Sequence, residues 1–476
     1  MTRPNILFIM SDDHAAHAIS AYGSQINSTP NIDRIAAEGV RFTNCFCTNS
    51  ICAPSRATIL SGLHSHLNGV RTLEDHLDRN ILTFPSLLRA SGYETAIIGK
   101  WHLGHGPRWD PNGFDDWTIL PGQGEYFDPP MSVRGKEKIY PGYVTDVLTD
   151  LALEWLHQRN TEKPFFLMLH HKAPHRPWLP DERHARLYED VTIPEPKTFD
   201  DDYATRIAAE AAQMRIDRDL TFRDLKAGVP KGLSKEQEKS WKYQRYIKDY
   251  LRCVASIDDN VGRVLDYLDA AGLSENTVVI YTSDQGFFLG DHGWYDKRLM
   301  YEESLRMPML LRYPAMVQKP ALCDPMVTNV DFAPTFLDLA GVTIPETFQG
   351  RSLVPLLRGE TPPDWPTSMY YRYWMHMDEY HKVWAHLGVR TLRYKLIYYY
   401  GEALETTGSE DIPTPKTWEL FDLEEDPLEL RNVFDDPAYA EVVRSLKVEL
   451  RRLQADLGDT DPDTRSRIDA PETRLR

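Results

Sequence analysis

The chain has 476 residues, which is long enough for one large domain with a smaller partner. Acidic residues outnumber basic ones by 71 to 54, and no cluster of lysine and arginine offsets the formal charge of −17, so neither nucleic acid nor an anionic membrane is an expected partner. The five cysteines are odd in number and form no C-x-x-C pair, which argues against a disulfide framework or a structural zinc site.

The first apolar segment is too short to be a signal peptide or a membrane span. Residues 6–10 are apolar, and Asp12 and Asp13 follow almost at once. We interpret this segment as a first β-strand and expect a cytoplasmic protein.

Short apolar segments alternate with amphipathic ones along the first 340 residues. The segments expected to be strands are "NILFIM", "ETAIIG", "PFFLMLHH", "TVVIYTSD" and "PMLLRYP". The expected helices are "TPNIDRIAAEG", "FPSLLRASG", "TDVLTDLALEWLHQR" and "RCVASIDDNVGRVLDYLDAAG". This alternation predicts an α/β fold in which a large, mostly parallel sheet is covered by helices on both faces.

The texture of the sequence changes after the proline-rich segment "RGETPPDWP". Aromatic, strand-like segments follow, among them "SMYYRYWM" and "RYKLIYYY", and a charged helical segment comes last. We therefore predict a boundary near residue 362, with an α/β domain over 1–362 and a smaller domain of antiparallel sheet and helix over 363–476.

Oxygen-bearing side chains follow two of the expected strands. Asp12 and Asp13 come after the first, and Asp284 and Gln285 come after "TVVIYTS". Either pair alone is better explained by a helix cap or a turn. Ligands collect at the carboxyl ends of strands in open α/β sheets, so the joint occurrence favours a metal site, and oxygen donors suit Ca²⁺ or Mg²⁺ better than zinc.

Cationic and imidazole side chains occur in similar places. Lys100 and His102 follow "ETAIIG", His175 follows "PFFLML", and Lys297 follows "GDHGWYD". One such residue alone is usually solvated, whereas four at strand ends indicate a shared site. Arg56, Lys100 and Lys297 offset the charge of the three carboxylates, and a divalent metal then makes the predicted site net positive. An anionic group is therefore expected to bind there.

Cys52 lies at the start of a helix-like segment in "SICAPSRATILSG". It is explained either as a buried core thiol or as a thiolate nucleophile whose pKa is lowered by the helix start and Arg56. A plain thiolate beside a hard, oxygen-ligated cation is a poor chemical match, and no Cys-His protease pattern surrounds it.

Two motifs connect this cysteine with a known family. "CAPSRATILSG" (52–62) and "GYETAIIGKWH" (92–102) resemble the two signatures of the type I, formylglycine-dependent sulfatases of the alkaline phosphatase superfamily. The resemblance continues through "TPNIDRIAAEGVRF", "TSDQG", "DKRLMYEESLRMPML", "DFAPTFLDLAG" and "ELFDLEEDP", and so covers nearly the whole chain.

The resemblance implies that Cys52 is oxidised to formylglycine. A formylglycine-generating enzyme would recognise the tag around Pro54 and Arg56. The resulting aldehyde would be held as its hydrate, one hydroxyl of which attacks sulfur and expels the alcohol. The second hydroxyl then loses its proton and the hydrate collapses to the aldehyde, which breaks the C–O bond and releases sulfate.

The resemblance also implies a calcium site, with Mg²⁺ or Mn²⁺ as alternatives. Its ligands would be Asp12, Asp13, Asp284, Gln285 and the group derived from Cys52. Gln285 departs from the family, since many members have asparagine there.

The remaining roles concern the reaction itself. Arg56 and Lys100 would hold the hydrate, and His102 would accept its proton. His175 and Lys297 would bind the sulfate and protonate or stabilise the leaving oxygen.

The expected substrate is a small sulfated carbohydrate. Three segments resemble the rim of carbohydrate-directed sulfatases, namely "LPGQGEYFDP", "GDHGWYD" and "YRYWMHMDEYHKVWAHLGVR". They supply Tyr126, His292, His376, His381 and Arg390 as candidate sugar contacts, although such aromatic and histidine-rich segments are equally well explained as domain-packing surface.

Two other functions remain open, and the sequence predicts no oligomeric state. A phosphonate monoester or phosphodiester hydrolase of the same superfamily would use the same metal and cations, because they stabilise phosphoryl charge as readily as sulfuryl charge. A non-catalytic binder of sulfated glycans would retain the site without the modification.

Overall fold

The computed structural model describes residues 3–317 and 319–459. The strands are β1 (Asn5–Ser11), β2 (Val40–Phe42), β3 (Cys45–Phe46), β4 (Glu94–Lys100), β5 (Asp116–Leu120), β6 (Pro130–Val133), β7 (Lys136–Ile139), β8 (Phe165–His170), β9 (Thr277–Ser283), β10 (Phe288–Leu289), β11 (Tyr295–Asp296), β12 (Met309–Arg312), β13 (Ala321–Cys323), β14 (Val327–Thr328), β15 (Ser368–Tyr373), β16 (His386–Thr391), β17 (Tyr394–Tyr399) and β18 (Thr417–Asp422). The α-helices are α1 (Pro30–Ala37), α2 (Cys52–Ser61), α3 (Ser65–Asn68), α4 (Phe84–Ala90), α5 (Val144–Gln158), α6 (Ile207–Ala211), α7 (Phe222–Leu225), α8 (Lys235–Ala270), α9 (Glu302–Leu305), α10 (Phe332–Leu339), α11 (Val354–Leu357) and α12 (Ala440–Leu457).

The main sheet has ten strands in the order β13-β2-β12-β9-β1-β8-β4-β5-β6-β7. The central strands β9, β1, β8, β4 and β5 are parallel, which confirms the predicted sheet. The edge is different, because β6 and β7 are joined by a two-residue turn at Arg134 and Gly135, both with positive φ, and so short a connection permits only antiparallel pairing.

Both faces of the sheet are covered by helices, as predicted. Successive side chains of β1 point to opposite faces. Leu7 and Ile9 join one buried core with residues of α1, α5 and α8. Phe8 and Met10 join a second core with residues of α4 and α10. The continuous apolar character of β1 thus reflects burial on both sides.

Helix α8 is longer than the predicted 252–272 segment. It begins at Lys235, because Ser234 and Gln237 form a capping box that satisfies the first backbone N–H groups. None of the helices within 3–317 and 319–459 combines the length and apolar composition needed to cross a bilayer.

The C-terminal part forms a four-stranded antiparallel sheet in the order β15-β16-β17-β18. One face packs against α12 through Leu446 and Leu450. The other face contacts the main body, where Tyr399 and Phe421 share a core with Tyr301. The boundary predicted near residue 362 falls between α11 and β15 and stays a prediction, and residues 460–476 of the predicted domain lie outside the described residues.

Candidate active site

The ends of β1 and β9 bring four predicted metal ligands together. The two strands pair in parallel with Ser11 opposite Ser283, so the residues that follow each strand are neighbours. The backbone N–H of Asp13 donates to Oδ1 of Asp284 at 3.2 Å. Carboxylate oxygens of Asp12, Asp13 and Asp284 lie within 4.8 Å of one another, and all three residues are buried.

These residues fit a hard divalent cation. Burial, together with the neighbouring Asp12 carboxylate, raises the pKa of Asp13 to about 6 and that of Asp284 to about 7. Nε2 of Gln285 donates to Oδ1 of Asp13 at 2.5 Å, whereas its Oε1 is buried and has no hydrogen-bond partner in the described part of the chain. Crowded carboxylates and one unsatisfied amide oxygen form an oxygen donor set typical of Ca²⁺ or Mg²⁺.

Cys52 is the first residue of α2 and lies against this cluster. Its Sγ is 3.3 Å from Oδ1 of Asp12, and the residue is 1% exposed. Burial and the Asp12 carboxylate raise the pKa of the Cys52 thiol well above its ordinary value. A protonated thiol is a weak nucleophile, so the geometry argues against a thiolate mechanism.

Arg56 lies one helical turn after Cys52 and is buried. Its Nε and Nη2 contact Oδ2 of Asp284 at 3.0 and 2.9 Å. Its Nη1 donates to the Lys100 carbonyl oxygen at 2.9 Å, so the guanidinium joins the ends of β4 and β9. The prediction that Arg56 and Cys52 belong to one site agrees with this arrangement.

Two buried lysines face the carboxylates. Nζ of Lys100 contacts Asp12 and donates to Oε1 of Gln123 at 2.5 Å. Nζ of Lys297 lies 2.7 Å from Asp13, and although burial opposes it, the Asp13 carboxylate raises the pKa of Lys297 well above its ordinary value. The Lys297 ammonium is therefore charged at neutral pH.

Two histidines of the site are neutral in this arrangement. Nδ1 of His175 lies 2.7 Å from the Arg176 carbonyl oxygen, which can only accept, so this nitrogen carries the proton and Nε2 has a free lone pair. Burial and the Lys100 ammonium lower the pKa of His175 and of His102 well below the ordinary value. Nδ1 of His102 is buried and lacks a hydrogen-bond partner among the residues described.

A cleft of about 640 Å³ leads from solvent to this cluster. Its lining includes Cys52, Gln123, Glu125, Lys172, His175, Arg176, Thr221, Arg223, Asp296, Lys297, Arg298, Tyr380 and His381. A space of this size accommodates a sugar rather than a macromolecule at the buried end.

Two of the five predicted sugar contacts lie at or behind the cleft. His381 lines it, with Nδ1 2.9 Å from Asp378 and Nε2 3.2 Å from Asp296. Tyr126 is buried and does not line the cleft, and its hydroxyl donates to the His175 carbonyl oxygen at 2.6 Å. Tyr126 therefore supports the His175 loop in this structure, and its predicted contact with a sugar stays a prediction.

His292, His376 and Arg390 do not line this cleft, and their predicted contacts with a sugar stay predictions. His292 is fully buried, with Nδ1 2.6 Å from Asp201. His376 is also fully buried, and its Nε2 lies 2.9 Å from the Ile412 carbonyl oxygen. Arg390 pairs with Glu302 at 3.1 Å. Each side chain is held by a structural partner away from the cleft.

Sequence reasoning missed three cleft residues. Gln123 accepts a hydrogen bond from Lys100, Lys172 lines the cleft floor, and Arg298 lies beside Asp296. A signal existed for Lys172, which follows the "PFFLMLHH" strand just as His175 does. Gln123 and Arg298 lie in segments that resemble the family, but nothing in those segments singles out these two side chains.

Carboxylates, cations and a helix-start cysteine thus converge at the carboxyl ends of a mixed α/β sheet. The chain belongs to the sulfatase family: the family described as Sulfatase matches residues 4–342, and the one described as N-sulphoglucosamine sulphohydrolase, C-terminal, matches residues 290–456. It is therefore a sulfuric ester hydrolase, which confirms the predicted family and enzyme class.

Curated relatives are similar over most of the chain. The N-acetylglucosamine-6-O-sulfatase of Bacteroides thetaiotaomicron is 42% identical, with 98% of this chain and 89% of the relative covered. The human N-acetylglucosamine-6-sulfatase is 28% identical, with 78% of this chain and 67% of the relative covered.

Solved structures are similar over nearly the full length. One, described as a complex with its substrate D-glucosamine-2-N,6-O-disulfate, has a TM-score of 0.91 at 41% identity and covers 97% of this chain and 99% of its own. The phosphonate monoester hydrolase of Agrobacterium radiobacter has a TM-score of 0.73 at 21% identity, with 96% of each chain covered, and shows the fold alone. The predicted fold class is confirmed.

Proposed function

We propose that this sulfatase hydrolyses the 6-O-sulfate ester of glucosamine in small sulfated sugars, giving the sugar alcohol and inorganic sulfate. The observation that carries the proposal is the cleft, which admits a sugar and ends at Cys52 beside Asp12 and Lys297. Its support is the 42% identity, over 98% of the chain, to a protein named for 6-O-desulfation of N-acetylglucosamine.

The donor set supports calcium as the metal. Asp12, Asp13, Asp284 and Oε1 of Gln285 would hold Ca²⁺, which would polarise oxygens of the sulfate ester. Formylglycine made from Cys52 would supply a hydroxyl nucleophile in place of the thiol. Both assignments belong to the proposal.

The chain's own cations bind and orient the sulfate. Lys100 and Lys297 contact Asp12 and Asp13 in the protein alone. When those carboxylates take up a metal ligand role, the two ammonium groups are free to donate to sulfate oxygens. Arg56 stays on Asp284 and fixes the start of α2 against the ends of the strands.

The two neutral histidines are assigned to proton transfer. Nε2 of His175 has a free lone pair, and its pKa is low partly because Lys100 is near. An incoming anionic ester offsets the charge of Lys100, so Nε2 gains a proton that it can pass to the leaving oxygen. We assign to His102, whose pKa is lowered by burial and by Lys100, the role of accepting a proton from the nucleophile.

A panel of substrates tests the proposal. The chain, coexpressed with a formylglycine-generating enzyme, is given N-acetylglucosamine-6-sulfate, galactose-6-sulfate, glucosamine-2-N-sulfate and a phenyl phosphonate ester, and released sulfate or phenol is measured. We expect kcat/KM to be at least about 100-fold higher for the first, the ratio that a few oriented hydrogen bonds provide.

Other results would contradict the proposal. Faster release from the N-sulfate would indicate a sulfamidase, and faster cleavage of the phosphonate would indicate the phosphonate hydrolase. Sugar binding without sulfate release by fully modified protein would support the non-catalytic binder.

A further inference from the structure

Lys172 is a largely buried lysine that lines the cleft. It comes two residues after β8, where the carbonyl oxygen of the next residue, Ala173, accepts the backbone N–H of Asp12 at 3.2 Å. Its side chain lines the cleft beside Gln123 and His175 and is only 2% exposed. Lys172 therefore faces any sugar whose sulfate reaches Cys52.

The Lys172 ammonium has no acceptor. Within 3–317 and 319–459 it makes neither a hydrogen bond nor an ion pair, and its Nζ lies 4.8 Å from the centroid of the Tyr126 ring. The carboxylates of Asp12 and Glu125 attract it without forming an ion pair. Lys100 and Lys297, by contrast, each contact a carboxylate. An ammonium group on a largely buried side chain without a protein acceptor is costly, and a ligand that supplies an acceptor removes this cost.

The other charges of the cleft are mostly paired. Both nitrogens of Arg176 that face Asp224 lie 2.7 Å from its carboxylate. Arg298 lies 3.5 Å from Asp296 and 4.0 Å from Asp378.

The unpaired charges of the cleft outside the sulfate-binding end are Lys172 and, at the exposed rim, Arg223 and Glu125, as far as the described residues go. Two cations thus face one carboxylate. The balance favours a substrate that carries a negative charge in addition to the sulfate being hydrolysed.

We propose that Lys172 is a specificity-determining residue that binds a second acidic group of the sulfated sugar. The group is either an N-sulfate on the same ring or the carboxylate of an adjoining uronic acid. The proposal rests on the proposed function, because it takes the 6-sulfate as the group held at Cys52. Burial and the Lys100 ammonium lower the pKa of Lys172 to about 8, so the side chain is still mostly charged at pH 7.

Three substrates and three variants test this role. The substrates are N-acetylglucosamine-6-sulfate, glucosamine-2-N,6-O-disulfate and a disaccharide in which a uronic acid adjoins N-acetylglucosamine-6-sulfate. The variants are Lys172→Met, Lys172→Arg and, as a matched control, Lys138→Met on the exposed strand β7. Thermal unfolding checks that each variant is folded.

We expect Lys172→Met to lower kcat/KM about tenfold or more for one acid-bearing substrate and less than about threefold for N-acetylglucosamine-6-sulfate, since a charge-assisted contact is worth about one to two decades. The substrate that suffers the loss identifies the acidic group. Lys172→Arg keeps most of the preference, and Lys138→Met changes nothing.

A binding measurement separates this proposal from the proposed function. Titration calorimetry compares glucosamine-2-N-sulfate, glucuronic acid and N-acetylglucosamine, none of which has a 6-sulfate. Tighter binding of an acidic sugar to the wild type than to Lys172→Met supports the role of Lys172 even if no substrate is hydrolysed. Equal losses of kcat/KM on all three substrates would mean that Lys172 acts through His175 on the reaction itself. No loss on any substrate would mean that Lys172 does not contact the sugar. Either result overturns the proposal.

Discussion

This molecule contains two clusters of charged side chains, one at the active site and one where the C-terminal sheet meets the main body. The catalytic cluster consists of Asp12, Asp13, Asp284, Arg56, Lys100 and Lys297. The interface cluster, where the four-stranded sheet meets the main body, consists of Glu302, Glu419, Glu429, Arg390 and Lys395. Both are rich in carboxylates and buried except for the partly buried Glu302, so burial and charge alone do not tell them apart.

The ion pairs of the interface cluster form among its own members, and among the residues described its unpartnered atom is Oε1 of Glu419. Lys395 bridges Glu302 at 3.0 Å and Glu429 at 2.5 Å, and Arg390 contacts Glu302 at 3.1 Å. None of its members lines the cleft. Such a network holds two parts of the chain in register, and its unpartnered oxygen is closed off from the cleft.

The catalytic cluster is incomplete without a ligand. Asp13 and Asp284 have raised pKa values, Oε1 of Gln285 is unpartnered among the described residues, and Cys52 opens onto the cleft. A functional site is therefore marked by unsatisfied polar atoms that a ligand can reach from solvent, rather than by a high density of charge.

The largest expected effect comes from a matched pair of substitutions, one in each cluster. Asp284→Asn weakens the metal site, and we expect kcat/KM to fall by about 10³-fold without recovery in millimolar Ca²⁺, because metal polarisation is worth several kcal/mol. Chelation of the wild type should reproduce the loss, and added Ca²⁺ should reverse it.

Glu302→Gln is the control, and it should act on stability. Arg390 and Lys395 lose a partly buried carboxylate, so we expect the free energy of unfolding to fall by about 3 kcal/mol while kcat/KM stays within about twofold of the wild type. Urea unfolding and sulfate release measure the two effects. A Glu302→Gln variant that is stable but inactive would reverse the assignment of the two clusters.

A smaller effect concerns pH. Burial raises the pKa of Glu419 from 4.5 to about 7 in the folded protein, although Tyr301 and Tyr399 donate to its Oε2 at 3.1 and 3.2 Å. The folded state keeps a proton that the unfolded state releases above 4.5, so this group lowers stability as pH rises from 4.5 to about 7.

Glu419→Gln removes that titration. The stability of the variant relative to the wild type should rise by up to about 3 kcal/mol between pH 4.5 and pH 7 and then level off. Urea unfolding at pH 5, 6, 7 and 8 gives the two curves. Curves that run parallel over this range would show that Glu419 does not titrate there.

The sequence predicted those parts of the site that depend on strand ends. Asp12 and Asp284 follow apolar strands, and parallel pairing necessarily places them together. Lys100 and His175 were found for the same reason. Here a local pattern determines a three-dimensional neighbourhood.

The substrate rim could not be predicted in this way. Arg390 contacts Glu302, which is 88 residues away in the sequence. An aromatic, histidine-rich segment has the same sequence pattern whether it packs against another sheet or lines a cleft. Lys172 draws attention because its ammonium group has no hydrogen-bond acceptor among the described residues, and only the folded structure can show this.

The mass of the tryptic peptide 42–56 tests the central claim most directly. This peptide contains Cys45, Cys47 and Cys52, so fragment ions must place any change at Cys52. We predict a form about 18 Da lighter than the thiol peptide, the difference between cysteine and formylglycine, with sulfate release from N-acetylglucosamine-6-sulfate rising in proportion to the modified fraction. Fully active protein with an unmodified Cys52 would contradict the account.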